Sequence, residues 1–276
     1  TTVETWLVLE YSGRWSGDAF RDSRIPDEVK AGIKRYLETF PNSRLQLVKK
    51  EKRSGDGIKL FIAHSRENDP VLREITLAGY EELIDSDLES VIRNLAAERA
   101  EPLFLMCTNG EYDQCCGKFG MPVYRDVAAG AHGRNAWQST HIGGHRFAST
   151  FVCLPHGLYY GRIREGARAD EIFDEYKQGR IDLGSYRGRS CYSPPVQAAE
   201  YFLRKETGVR EINAYSFKGA GEVNGEIRAE FVSVSDDRIY IVRLRKLETS
   251  LKVLKSCGDK ERAFIPQYRL LGIGEA

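Results

Sequence analysis

Between Cys107 and Arg146 the sequence runs CTNGEYDQCCGKFGMPVYRDVAAGAHGRNAWQSTHIGGHR, gathering three of the chain's six cysteines and three of its five histidines. Thiolate sulfur and neutral imidazole nitrogen are the donors that hold zinc ions and iron–sulfur clusters. Eight residues separate Cys107 from Cys116, and seven separate it from Cys115. A loop of that length can fold around a bulky inorganic cluster. Further on, His141 and His145 flank Ile142-Gly143-Gly144. On a helix this spacing would put both imidazoles on one face. Two glycines inside a helix cost about 1–2 kcal/mol relative to alanine, however, so a loop is expected. There, Gly143 and Gly144 allow the backbone to approach a cofactor closely and aim N–H groups at its sulfides. Two thiolates and two imidazoles form the mixed set in which histidines replace cysteines on one iron of a 2Fe–2S cluster.

Spacing leaves other readings open. A Cys2His2 zinc site also suits paired histidines, although such sites usually pair their cysteines two to four residues apart. A Cys–His nucleophile is a further option, with Cys115 or Cys116 activated beside Lys118, but nothing else in the sequence marks an acyl-transfer pocket. A chain holding no metal is the remaining alternative.

Composition narrows the setting for that chemistry. The chain has 276 residues, 41% of them hydrophobic, enough to bury a substantial core. Lys and Arg number 41 against 40 Asp and Glu, a net charge of +1 that gives no case for nucleic acid or an anionic membrane. No apolar run approaches the roughly 18 residues of a membrane span. The opening TTVETWLVLEY lacks the basic-then-apolar pattern of a secretory signal. Six cysteines are too sparse for a disulfide scaffold, and the adjacent pair Cys115–Cys116 is awkward to bridge, so a reducing, cytoplasmic setting is expected.

The elements that must position these residues follow from pattern. Thr5 to Tyr11 predicts a buried strand. Pro26-Asp27-Glu28 opens a helix whose apolar face is Val29, Ile33, Tyr36, Leu37 and Phe40. Leu45–Val48 predicts a second strand, and the basic run from Lys49 to Gly57 predicts a hairpin turn into Leu60–Ala63. A strand around Arg73–Leu77 and an acidic amphipathic segment from Glu81 to Leu95 complete an N-terminal α/β unit. Leu103–Met106 predicts a buried strand delivering Cys107 at its C-terminal end, where open α/β sheets build their sites. Cys116 precedes a helix through Val123, Tyr124, Val127 and Ala128. Extended Ala136–Thr140 delivers His141, and Phe151–Gly161 predicts a hairpin. Helices are expected at Asp170–Gln178 and Pro195–Thr207, then a β-rich tail pairing Gly225–Val234 with Arg238–Leu244. Gly219-Ala220-Gly221 reads as a turn. Cys153 reads as core, Cys191 as a surface or packing thiol and Cys257 as structural, while His64, His132 and His156 read as polar loop residues. Arg146 and Lys118 flank the central stretch, placed to offset cluster charge or dock a partner. No internal sequence repeat is apparent.

The segments CTNGEYDQCCGKFG, WQSTHIGGHRFAS, LPHGLYYGRI and YRGRSCYSPPVQAAE, with the opening WLVLEYSGRWSGDAFRDSRIP, resemble the sucrase/ferredoxin-like family, a branch of the thioredoxin-like 2Fe–2S ferredoxins. The likeness spans roughly Trp6 to Glu200. It implies an α/β protein: an N-terminal α/β unit (1–98), a thioredoxin-like ferredoxin domain (99–207) and a β-rich C-terminal extension (208–276). It further implies that Cys107, Cys116, His141 and His145 ligate a 2Fe–2S cluster, with Cys116 rather than Cys115 as the second thiolate. The implied role is an electron carrier or redox sensor with a redox protein partner, rather than a stand-alone enzyme. The alternatives are a structural zinc-binding interaction module and a redox enzyme with its own small-molecule substrate. Despite the family's name, no carboxylate pair of a sugar-cleaving site is apparent.

Overall fold

A computed structural model of the chain describes residues 2–275 apart from 53–54, 85–87, 96, 100, 248–251 and 255. The fold starts from strand β1 (Thr5–Glu10), TWLVLE, buried at every position. An element apolar on both faces must lie inside a sheet covered on both sides. The helix α1 (Asp27–Glu38) follows, burying Val29, Ile33 and Tyr36, with Asp27 and Glu28 in its first turn. Next come β2 (Ser43–Lys49), β3 (Ile58–Arg66), β4 (Asp69–Leu77), α2 (Leu88–Leu95) and the short β5 (Ala97–Glu98). The expected acidic segment thus becomes a 3-10 turn (Tyr80–Leu83) and α2, and its residues 85–87 lie outside the described residues.

The chain continues with β6 (Leu103–Cys107), α3 (Met121–Ala129), β7 (Ala136–Ser139), β8 (Thr150–Leu154), β9 (Leu158–Gly161), α4 (Gly166–Lys177), β10 (Tyr186–Arg189) and α5 (Pro194–Thr207). The C-terminal part holds β11 (Tyr215–Val223), β12 (Glu226–Ser233), β13 (Ile239–Leu247), β14 (Lys252–Val253), β15 (Ala263–Phe264) and β16 (Gln267–Glu275). Among the described residues, ten strands form one sheet in the order β10-β9-β8-β6-β7-β2-β1-β3-β4-β5. A second sheet, β11-β12-β13-β16, carries α5 against its apolar face, with Val196, Ala199 and Leu203 packed on Ala229, Phe231 and Val242. The architecture is mixed α/β with a large sheet and added C-terminal β structure.

Two expectations are corrected here. The run from Lys49 to Gly57 does not close a hairpin: β2 and β3 flank β1, parallel on one side and antiparallel on the other. The doubly apolar β1 takes the interior position and separates two strands that are neighbours in sequence. Gly219-Ala220-Gly221 lies within β11 and pairs with β12, just past a register shift at Phe217/Gly219, rather than forming a turn.

The large sheet curls on itself. Five strand spacings separate β9 from β1, about 24 Å in a flat sheet, yet the Trp6 and Tyr159 rings lie 6.1 Å apart. Phe61 of β3 likewise meets Trp137 of β7 at 5.6 Å. Strand alternation sorts side chains accordingly. Trp6, Val8, Leu105, Cys107 and Trp137 fill the inner face. Leu7 and Leu9 face α1 and α2 on the outside, and Phe104 and Met106 face α3 and α4.

Arg189 and Arg204 clamp Glu200, each at 3.1 Å, with all three side chains at most 1% exposed. Tyr186 donates to Glu200 at 2.8 Å, and both arginines donate to the Ile212 carbonyl. Burial would raise the Glu200 pKa, but the charges of Arg204 and Arg189 outweigh it and hold the carboxyl below its usual range. The triad thus locks α5, β10 and the entry to the second sheet together. Glu200→Gln should lower the unfolding free energy by roughly 3–5 kcal/mol by leaving two buried guanidinium groups uncompensated. A urea midpoint equal to wild type would refute the lock.

His132 and His156 lie in turns, as expected, and His64 lies inside a strand; all three make tertiary contacts. His132 is buried, with Nε2 3.0 Å from Asp174. His64 lies within β3, 3.3 Å from the Thr5 hydroxyl. His156, in the β8–β9 turn, has Nδ1 2.7 Å from the Tyr176 hydroxyl. Burial first, and the charge of Arg189 second, lower the His156 pKa from 6.5 to about 4. Between those values the unfolded chain binds a proton that the folded chain refuses, so stability falls as pH drops through that window, by up to roughly 3 kcal/mol. Denaturant titrations at pH 7 and pH 5 should show this loss, and His156→Gln should shrink it; an equal loss in the variant would refute the assignment.

Candidate metal centre

Strand β6 ends at Cys107, whose side chain points into the inner core and is 1% exposed. The chain then loops through Thr108–Cys115 and re-enters in a single π-turn, Cys116–Gly120, leading into α3. Cys116 is fully buried beside Cys107. On the neighbouring strand, Ser139 of β7 pairs with Cys107 of β6, and the chain reaches His141 two residues later. Cys107 Sγ and Cys116 Sγ each lie 3.6 Å from His141 Nδ1. The three donor atoms fall within 4.8 Å of one another, and the group can hold a metal ion.

The electrostatics suit a thiolate. A hydrogen bond from Cys116, then the hydrogen bond and charge of His141 and the Ile142 N–H, hold the Cys107 thiol well below its usual range against the effect of burial. Cys116 moves the other way, raised first by its hydrogen bond to Cys107 and then by burial. The pair therefore shares one proton, which a bound cation would displace.

The imidazole is fixed from several sides. Tyr112 stacks on His141 with centroids 4.1 Å apart and planes within 9°. Arg44 of β2 donates to the carbonyls of His141 and Ile142 at 2.9 and 3.0 Å. Gly143 and Gly144 take φ values of 102° and 67°, in the region that favours glycine. His145 opens a 3-10 turn, His145–Phe147, and its side chain lies outside the described residues. His141 also lines a cavity of about 430 Å³ shared with Asn109, Tyr112 and the Gly17–Phe20 loop.

The Thr108–Cys115 loop is held at many points. Asn109 Oδ1 accepts the N–H groups of Glu111 and Tyr112, and its Nδ2 donates to the Ser16 carbonyl. Buried Asp113 accepts from Cys115 N at 2.8 Å, Ser256 Oγ at 2.6 Å and Cys257 N at 2.9 Å. Glycine is required where backbones meet: a Cβ at Gly120 would lie 2.1 Å from the Cys107 carbonyl oxygen, and one at Gly117 would lie 2.9 Å from Gly110 Cα.

Cys115 is bonded to Cys257. The adjacent pair therefore divides its work, Cys116 facing His141 and Cys115 tying the loop to the C-terminal extension. This corrects the expectation that the pair resists bridging, and it removes sparse cysteine usage as grounds for a reducing compartment. Tyr112, Arg44 and the Cys257 partnership carry no local sequence signal, because each acts through a residue distant in the chain. Cys153 is buried in β8, as its alternating strand suggested.

These observations define a mixed α/β protein with a Cys/His group able to bind metal. The sucrase/ferredoxin-like family matches residues 1–188, and the chain belongs to it. No curated protein and no solved structure matches. Among the described residues, no helix is long and apolar enough to cross a membrane.

Under non-reducing denaturation, alkylation should modify Cys107, Cys116, Cys153 and Cys191 and spare Cys115 and Cys257. Cys257→Ser should free Cys115 for alkylation and cost about 2–4 kcal/mol of stability. Stability equal to wild type in that variant would refute the tie between the loop and the C-terminal extension.

Proposed function

We propose that this protein holds a 2Fe–2S cluster through Cys107, Cys116, His141 and His145 and passes single electrons to and from a redox protein partner. The observation that carries the proposal is the convergence of the Cys107 and Cys116 thiols on His141 Nδ1 within the family-matched region. The family's description as ferredoxin-like supports a cluster over an isolated ion. The donors fit: sulfur and imidazole nitrogen are what a mixed-ligand cluster requires. When bound, the cluster supplies one-electron chemistry, and the protein sets its potential through ligand identity, hydrogen bonding and burial. The residues around it have definable tasks. Tyr112 and Arg44 hold the imidazole in position, the Ile142 N–H stabilises negative charge on Cys107, and the inner core keeps water from both sulfurs.

The connectivity supports a thioredoxin-like reading of residues 99–207. β6, α3, β7, β8, β9 and α4 follow in sequence, and the strand order is β7-β6-β8-β9. β6 and β7 run parallel and the other neighbours antiparallel.

A structural zinc site is the second reading, and one distance favours it. Ligands about 2.3 Å (sulfur) and 2.0 Å (nitrogen) from one tetrahedral ion lie about 3.5 Å apart, close to the 3.6 Å found for both Sγ–Nδ1 pairs. Anaerobic purification, a visible spectrum and metal analysis separate the two. A brown protein with about two irons and two sulfides, whose spectrum shifts in both His141→Cys and His145→Cys, supports the cluster. A colourless protein with one zinc, or failure to reconstitute with iron and sulfide, overturns it.

A further inference from the structure

Beside the His141–His145 loop the surface opens into a cavity of about 460 Å³. Gly143, Gly144, Arg146, Tyr159, Arg187 and Tyr268 are among the residues lining it, and no Asp or Glu is. That volume lies within the range of small-molecule sites. The charge at its rim is one-sided. The guanidinium carbons of Arg187, Arg146 and Arg162 lie 3.4, 4.5 and 5.3 Å from the centroid of one ring, Phe147. Three cations around a single aromatic ring repel one another. Among the described residues no carboxylate lies within ion-pairing distance of any of them, whereas twelve other arginines of the chain have such a partner.

Each of the three belongs to a different segment: Arg146 to the turn after the glycine pair, Arg162 to the residue after β9, and Arg187 to β10. Arg162 adopts φ 65°, a conformation that is costly for a residue with a side chain. Partial burial of its guanidinium first, then the charges of Arg146 and Arg162, lower Arg187 to about 10. An arrangement that crowds like charges without a counter-ion is one that an anion would relieve, and guanidinium forks match carboxylate and phosphate oxygens in pairs. Tyr159 and Tyr268 add aromatic wall to the same cavity.

We propose that this cavity binds a small molecule bearing a phosphate or carboxylate group and an aromatic or apolar body. Its oxyanion is held by Arg146 and Arg187 with Arg162 at the rim, and its body lies against the tyrosines. The site shares Gly143 and Gly144 with the metal-centre loop, so a bound ligand would sit directly beside that loop. The proposal does not depend on which metal the centre holds.

Calorimetric titration of the full-length protein at low salt tests it, with phenyl phosphate, benzoate and inorganic phosphate as probes. The metal-loaded and metal-free forms are titrated separately, so that failure of the cluster reading and failure of this one remain distinguishable. Saturable one-to-one binding of an aryl oxyanion is expected, with phenyl phosphate or benzoate binding about tenfold more tightly than inorganic phosphate. Which of the two aryl probes binds better identifies the oxyanion. Arg146→Gln and Arg187→Gln should each weaken binding by about tenfold or more, Arg187→Lys by less, and Arg238→Gln, on a distant hairpin, not at all. Circular dichroism confirms that the variants fold. Absence of saturable binding up to about 10 mM, or undiminished binding in the Arg146→Gln/Arg187→Gln double variant, would overturn the proposal.

Discussion

The antiparallel contact between β2 and β7 is what the rest of the structure depends on. It is short: Val48 pairs with Ser139 and Lys49 with Gln138. Thr140 extends it, donating its N–H to the Leu47 carbonyl and accepting the Leu47 N–H on its hydroxyl. β7 runs parallel to β6 on one side and antiparallel to β2 on the other. The first partnership sets Ser139 opposite Cys107. The second fixes the direction in which the chain leaves toward His141, where Arg44 of β2 then secures the two carbonyls. The thiol and the imidazole are therefore placed by backbone pairing across three strands, which is stiffer than placement by loops alone.

The same contact relates two similar halves. β1-α1-β2-β3-β4-α2 and β6-α3-β7-β8-β9-α4 have the same connectivity, and their strand orders, β2-β1-β3-β4 and β7-β6-β8-β9, meet head to head at β2 and β7. Even the bonds that close the parallel pairs correspond: Tyr11 N–H to the Val48 carbonyl at 2.9 Å, Thr108 N–H to the Ser139 carbonyl at 3.1 Å. By this correspondence Glu10 stands where Cys107 does, and Lys50 where His141 does. Glu10 accepts the Lys59 N–H, and Lys50 donates to the carbonyls of Gly133 and Arg134. One half thus keeps the frame and uses those positions for tertiary bonds, while the other places there side chains able to hold a metal.

This repeat was invisible in the sequence because it resides in strand connectivity, whereas the residues at matching positions differ in chemistry. The local features were legible. Cys107 ends an apolar run, His141 follows an extended segment, and Gly143-Gly144 marks a loop. The failures share a cause. The turn expected after Lys49 was misplaced because strand neighbours depend on which strand can tolerate burial on both faces, a property of β1 rather than of the turn. The Cys115 partner was unreadable because it lies 142 residues away. Strand β10, Tyr-Arg-Gly-Arg, carries no apolar alternation, and it is held instead by the buried pair Arg189–Glu200.

These constraints combine at the metal-centre loop. A long loop carrying ligands would ordinarily lose conformational entropy when it closes on a metal, and that cost would weaken binding. Here the ordering is already in place. Cys107 anchors one end as the last residue of a central strand, and Cys116 anchors the other as the first residue of a turn seated against the Cys107 carbonyl. Between them Asn109 caps the turn, and Asp113 binds the backbone of Cys115 and of Cys257 at once. The Cys115–Cys257 bond then ties this loop to the C-terminal extension, beyond the family-matched residues 1–188. The extension therefore acts on the centre mechanically. Among its described residues it adds no donor to the Cys107–Cys116–His141 group, yet it shares the carboxylate and the disulfide that hold the Thr108–Cys115 loop in place.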